Sequence, residues 1–255
     1  MEHVRVSIEG AVALVRLDRP PVNALSEQVA VELKEAFAGL GDPVIRAVVV
    51  TGQPHFAAGA DIKGFMASFD AGVTERSAWT LQEAIALLES LEKPTIAAVH
   101  GYALGGGLEL AMGADFRYLA EDALVGQPEI QLGIIPGAGG TQRLPRLVGF
   151  QRAKEMILSG RQVGADEALS LGLADKVIPS AELLDVALAD ASEFATRATK
   201  AVAAAKTAMN QGFGLPVAKG LEMERDAFQG AFGSEDAREG VTAFIEKRPP
   251  EFKGR

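Results

Sequence analysis

The sequence predicts an α/β fold with parallel strand pairing, followed by a helical C-terminal region. Three observations carry this. Short valine-rich or alanine-rich runs at 47–51 and 95–99 read as strands buried on both faces. Segments of helical periodicity separate them, which is the alternation of α/β layers. After about Glu182 the alternation stops, and alanine-rich helical sequence takes over.

In chain order, Val12–Leu17 reads as a strand, ended by Asp18-Arg19-Pro20-Pro21 because proline interrupts a ladder. Ser26 is placed to cap a helix whose apolar residues Val29, Leu33 and Phe37 recur every fourth position. Gly39–Pro43 ends that helix, and Ala47–Thr51 follows as a strand. Gly52–Asp61 is a turn-rich loop of small residues. Lys63–Ser77 is polar and weakly patterned and is expected to be a mobile loop. Leu81, Ile85 and Leu88 mark a helix ended by Lys93-Pro94, and Thr95–Val99 is the next strand. Leu124-Val125 and Ala174–Ile178 continue the strand pattern.

Beyond Glu182, Phe194, Ala198, Ala201, Val202, Ala205 and Met209 share one helical face. Ser234 caps the last helix, Glu235 and Asp236 occupy its first turn, Lys247 and Arg248 its last, and Pro249-Pro250 stops it. The chain thus divides into a core at 1–190 and a helical region at 191–255, joined by a change of class rather than a flexible linker. A helical tail with little core of its own must pack on the body of the chain or on a sister subunit, and an oligomer is expected.

The 255 residues suit one large domain, or one with a helical appendage. The net charge of −9 argues against duplex nucleic acid as partner, which requires a basic surface. With no cysteine, disulfides, thiolate metal sites and a cysteine nucleophile are excluded. Met1–Gly10 alternates polar and apolar residues and lacks the basic start and apolar run of a signal peptide. No apolar run is long enough to span a membrane. A cytoplasmic setting is expected.

Three segments could carry chemistry. Gly101–Ala111 leads from a buried strand into a helix through Gly105-Gly106-Gly107, which exposes backbone N–H groups where an oxyanion could be held. Glu109 sits in the first turn of that helix. On the residues alone the glycines could equally serve tight strand–helix packing, with Glu109 favoured only by the helix dipole. In Gly126–Thr141, Glu129 follows a proline among apolar residues, so poor solvation should raise its pKa. Glu129 reads equally well as an ordinary loop acid. Phe56–Ile62 offers another stretch of small residues and accessible backbone. His3, His55 and His100 form no metal-binding pair, and no metal is expected. No G-x-G-x-x-G or G-x-S-x-G pattern occurs, and Trp79 reads as a packing residue.

Together these segments resemble the enoyl-CoA hydratase/isomerase (crotonase) family. Ala58-Gly59-Ala60-Asp61-Ile62, Gly101–Ala111, and Gln127-Pro128-Glu129 through Gly140-Thr141-Gln142-Arg143 follow in the family's order. Asp18-Arg19-Pro20 with Val22-Asn23-Ala24-Leu25 at the front, and Glu239-Gly240 with Ala243–Arg248 at the back, extend the match to nearly the whole chain. Each motif is loose, but their joint occurrence is specific.

The resemblance implies a crotonase-like ββα spiral core, a C-terminal helical region used in trimerisation, and a homotrimer or homohexamer. It implies an acyl-CoA thioester substrate, with coenzyme A part of that substrate and no separate cofactor. Residue by residue, the backbone N–H groups of Ala60 and Gly106 would hold the thioester oxygen. Glu109 and Glu129 would be the two catalytic carboxylates. Ala58, Asp61, Ile62 and Lys63 would lie along the CoA, and Gly137 near the reacting end. The implied reaction is reversible syn addition of water to a 2-trans-enoyl-CoA, a step used in fatty-acid β-oxidation and in amino-acid and aromatic degradation. Glu109 is assigned as the base toward water and Glu129 as the proton donor to C2. A double-bond isomerase, which can work with one carboxylate, is the nearest alternative, followed by other acyl-CoA chemistries of the family such as thioester hydrolysis or decarboxylation. A non-catalytic acyl-CoA-binding scaffold is another. Pro21 stands where some hydratases carry a lysine near the CoA phosphates, and His100 where asparagine is common.

Overall fold

The computed structural model describes residues 1–72 and 77–255. Its strands are β1 (Val4–Glu9), β2 (Val12–Leu17), β3 (Ala47–Gly52), β4 (Thr95–Val99), β5 (Tyr102–Leu104), β6 (Phe116–Ala120), β7 (Leu124–Gly126), β8 (Gln162–Gly164) and β9 (Lys176–Ile178). Its helices are α1 (Glu27–Ala38), α2 (Ile62–Asp70), α3 (Ser77–Ser90), α4 (Gly106–Met112), α5 (Gly140–Val148), α6 (Phe150–Ser159), α7 (Ala165–Leu171), α8 (Leu183–Ala195), α9 (Thr199–Gly212), α10 (Val217–Phe232) and α11 (Glu235–Glu246).

One sheet has the order β1-β2-β3-β4-β6-β9, a second the order β5-β7-β8. In the larger sheet only the β1–β2 hairpin is antiparallel; the other pairs are parallel, as the buried valine runs predict. Val48, Val49 and Val50 are fully buried, and burying each side chain is worth about 1.5–3 kcal/mol. Helix α8 lies across β2, β3, β4 and β6, running through residue 190 without a break. The Ser26 and Ser234 caps form as expected, each hydroxyl accepting the N–H three residues on.

The parallel neighbours β3 and β4 decide where the site lies. The loops leaving their C-terminal ends stay zipped together: Phe56 N–H donates to His100 O, Ala57 N–H to Tyr102 O, and Leu104 N–H to Ala57 O. Gly59-Ala60 therefore runs beside Leu104-Gly105-Gly106. The approach is so close that a Cβ on Gly107 would fall 2.0 Å from the Ala57 carbonyl oxygen. Leu25 joins from the other side, its N–H on Gly59 O and its carbonyl accepting from Asp61 N–H. The β5–β7 register, Leu104 opposite Gly126, brings the segment after Gly126 alongside Gly105. The site thus opens at the carboxyl ends of parallel strands, the general location for ligands in such sheets.

Three expectations need correction. Part of the predicted loop at Lys63–Ser77 is the helix α2, capped by Asp61, whose side chain accepts from Lys63 N–H. Residues 73–76 of that expectation lie outside the described residues. The shared face from Phe194 to Met209 is not one helix: α8 ends at Ala195, α9 starts at Thr199, and Arg46 occupies the gap by donating to Arg197 O and Thr199 Oγ1. Phe194, Val202, Ala205 and Met209 still line one groove across that break. Trp79 is 53% exposed on α3, so it does not pack into the core of this chain.

Candidate active site

A mostly apolar cavity of ≈ 300 Å³ sits where these loops meet. Glu109, Glu129, Ala60, Gly106, Ala58, Ile62 and Gly137 all contribute to its wall. The structure therefore brings together seven of the nine residues singled out in the sequence.

Glu109 stands on α4 with 2% exposure. Its Oε1 accepts two backbone hydrogen bonds, from Ala138 N–H and Gly140 N–H, both at 2.7 Å. Burial pushes its pKa up, while the two N–H donors and the Arg143 charge oppose that rise. Its Oε2 points toward Gly106, 4.0 Å from where a Cβ on that glycine would lie.

Glu129 stands on a 3₁₀ turn, Pro128–Leu132, and is half-buried. Burial raises its pKa to about 7, and the neighbouring Glu109 charge adds to the rise. Its Oε1 lies 3.0 Å from the position a Cβ on Gly105 would take. Gly105 also has φ +52, so both its conformation and the carboxylate above it demand glycine.

The two backbone donors are oriented through the other ends of their own peptide units. Gly59 O, in the same peptide plane as Ala60 N–H, accepts from Leu25 N–H at 2.8 Å. Gly105 O, in the plane of Gly106 N–H, accepts from Glu109 N–H at 2.9 Å. Among the described residues, neither Ala60 N–H nor Gly106 N–H has a partner of its own. Two fixed, unpaired donors on a cavity wall can receive an oxygen that gains negative charge during reaction.

The sequence signature of the enoyl-CoA hydratase/isomerase family spans residues 7–255. The chain belongs to this family. It is 41% identical to a crotonyl-CoA hydratase of Syntrophomonas wolfei, with 98% of each chain covered. It is 43% identical to a probable enoyl-CoA hydratase of Mycobacterium tuberculosis, over 100% of this chain and 99% of that one. A crystal structure of an enoyl-CoA hydratase from Bacillus anthracis superimposes with a TM-score of 0.93 at 38% identity, covering 99% of this chain and 100% of the other. The crotonase-like α/β fold expected from the motifs is the fold these relatives share.

Within this hydratase/isomerase fold, two of the singled-out residues stand off the cavity. The Asp61 carboxylate binds Arg19 at 2.6 Å and caps α2, and the Arg19 guanidinium holds its pKa below the usual carboxylate range. Arg19 also donates to Ala24 O, so through Asp61 it ties the 24–25 segment to the stretch that carries Ala60. Lys63 lies exposed on α2.

Gln127 has a role that the sequence did not reveal. Its side chain is fully buried between Gly105 and Glu129. With its nitrogen toward the acid it donates to both Glu129 oxygens, at 3.0 and 3.3 Å. Turned over, that nitrogen donates to Gly105 O at 3.3 Å and the amide oxygen faces Glu129. The first pose suits a carboxylate, the second a carboxylic acid. An amide able to serve both forms fits an acid with a pKa about 7. Gln127 lies in the Gln-Pro-Glu motif, but only the β5–β7 pairing shows what it touches.

Proposed function

We propose that this chain is an enoyl-CoA hydratase, reversibly adding water to a 2-trans-enoyl-CoA to give a 3-hydroxyacyl-CoA. The observation that carries the reading is two carboxylates of unlike environment on one cavity, beside two unpaired amides. The thioester oxygen would accept from Ala60 and Gly106 N–H. Those donors would stabilise the enolate-like charge that develops as water adds at C3. Glu109, whose two backbone donors favour its ionised form, takes the proton from water. Glu129, whose raised pKa keeps a proton available near neutrality, delivers it to C2. Water is the only co-substrate, coenzyme A enters with the substrate, and no separate cofactor or metal is part of the proposal. Ala58, Ile62 and Gly137 would contact the bound thioester, with Asp61 and Lys63 on the flank toward the CoA.

A homotrimer or homohexamer is the proposed assembly. Its support is the set of apolar side chains left exposed on α9, α10 and the turn between them, among them Met209, Phe213, Leu221, Phe228 and Phe232. Light scattering should report three or six chains; a monomer would contradict it. No described helix is long and apolar enough to cross a membrane, and a cytoplasmic setting is part of the proposal.

The test is a panel of 2-trans-enoyl-CoA esters of increasing chain length, plus a 3-enoyl-CoA, with products identified. The expected result is 3-hydroxyacyl-CoA formation from crotonyl-CoA and its longer homologues. Double-bond migration without hydration would assign an isomerase instead. Binding without turnover would assign a non-catalytic acyl-CoA scaffold.

A further inference from the structure

Arg143 lies on the first turn of α5 and does not itself line the cavity, yet it is mostly buried directly behind the wall. Its Nη1 donates to Ala138 O at 3.1 Å, and its Nη2 pairs with Glu89 of α3 at 2.7 Å. A Cβ on Gly139 would fall 2.1 Å from Nη1, so the guanidinium packs hard against the 138–140 turn. The opposite side of that turn holds Glu109 through Ala138 N–H and Gly140 N–H. Ala138 is thus gripped from both sides, its N–H by the carboxylate and its carbonyl by the guanidinium.

The Nε of Arg143 is buried with no partner among the described residues. Burying an unpaired donor costs stability, and the Glu89 pair is half in solvent and returns little. Stability alone therefore gives poor grounds for a buried arginine here. Its contact with the catalytic turn gives better ones.

We propose that Arg143 is a positioning residue that clamps the 138–140 turn from behind and so fixes the pose of the Glu109 carboxylate. This rests on the reading of Glu109 as the base toward water. Its reach is indirect: Arg143 touches the turn, the turn touches Glu109, and Glu109 faces the substrate. Two charged groups face Glu109 across its surroundings, Arg143 from α5 and Glu129 from the 3₁₀ turn. Removing the first leaves only a like charge beside it.

The test compares full-length wild type with Arg143→Gln and Arg143→Lys in steady-state hydration of crotonyl-CoA across pH. Arg143→Gln should lower kcat by about 10²-fold, the scale of a small misplacement of a reacting group, with KM nearly unchanged. Its acidic limb in the kcat–pH profile should move to higher pH, because the cation that favours ionised Glu109 is gone. Arg143→Lys keeps the charge but not the fork, so it should restore the limb and part of kcat. Wild-type kcat and an unmoved limb in Arg143→Gln would overturn the proposal. So would a loss fully accounted for by a lower folded fraction. If Arg143→Gln fails to fold, Arg143→Lys decides alone: a lowered kcat with unchanged KM and limb supports the clamp, and wild-type kinetics refutes it. Wild-type protein that does not hydrate crotonyl-CoA would instead defeat the hydratase reading, a separate outcome.

Discussion

Glu109→Gln should lower kcat for crotonyl-CoA hydration by roughly 10²–10⁴-fold, the range of a lost general base, with KM within a few-fold of wild type. The amide oxygen of glutamine can still accept from Ala138 and Gly140 N–H, so the turn keeps its anchor. What is lost is the ability to take a proton from water. The substitution also removes a buried charge whose desolvation raises the native pKa, so the fold should be no less stable. Steady-state kinetics together with thermal unfolding checks both halves. A kcat within tenfold of wild type would remove Glu109 from the reaction.

Glu129→Gln should cost kcat on the same scale and also change the pH dependence of stability. Folding moves the Glu129 pKa from the ordinary 4.5 to about 7. The native state therefore holds this proton more tightly than the unfolded chain does. The stability this gives is fully present below about pH 4.5 and is lost as pH rises through about 7. The gap corresponds to about 3 kcal/mol between the two ends of that window. Glutamine cannot ionise, so the variant should lack this loss. At pH 8 its Tm should exceed the wild-type value by about 5–10 °C, whereas near pH 5 the two should nearly agree. In wild type, kcat for hydration should fall as pH climbs past about 7 and Glu129 loses its proton. Unfolding scans from pH 4.5 to 8.5 test the linkage. A parallel pH dependence in both proteins would show that Glu129 is solvated and ordinary.

What the sequence made legible, it did through burial and caps. The strands β3 and β4 announced themselves because both faces are covered, which leaves an unbroken apolar run. Helices α1 and α11 were readable from serine caps that act locally. Helix α2 was missed for the opposite reason. None of its residues is fully buried, and Ile62 and Phe65 turn toward the cavity rather than the core. The break between α8 and α9 has no breaker residue in it; Arg46, some 150 positions away, supplies the hydrogen bonds that hold the chain there. β5 and β8, three residues each, are too short to show a period.

The site was legible in part. Glu109 and Glu129 were each ambiguous alone, and the joint pattern of motifs selected them. The geometry then adds what no spacing encodes. Gly59 and Gly105 carbonyls are pinned from behind, which aims the amides of Ala60 and Gly106. The motif placed Asp61 near the ligand but did not show that its side chain pairs with Arg19 and caps the start of α2. Gln127 and Arg19 act through partners that only the folded chain brings near.

The proposed mechanism requires one thioester held by two main-chain amides, with its C2 and C3 between two glutamates. A crystal structure of the protein with acetoacetyl-CoA, a thioester that has no double bond to hydrate, tests it most directly. The thioester oxygen should lie within about 3 Å of both Ala60 N and Gly106 N, the usual hydrogen-bond distance, with Glu109 and Glu129 flanking the adjoining carbons. A thioester bound elsewhere, or one whose reacting carbons meet only one of the two carboxylates, would contradict it.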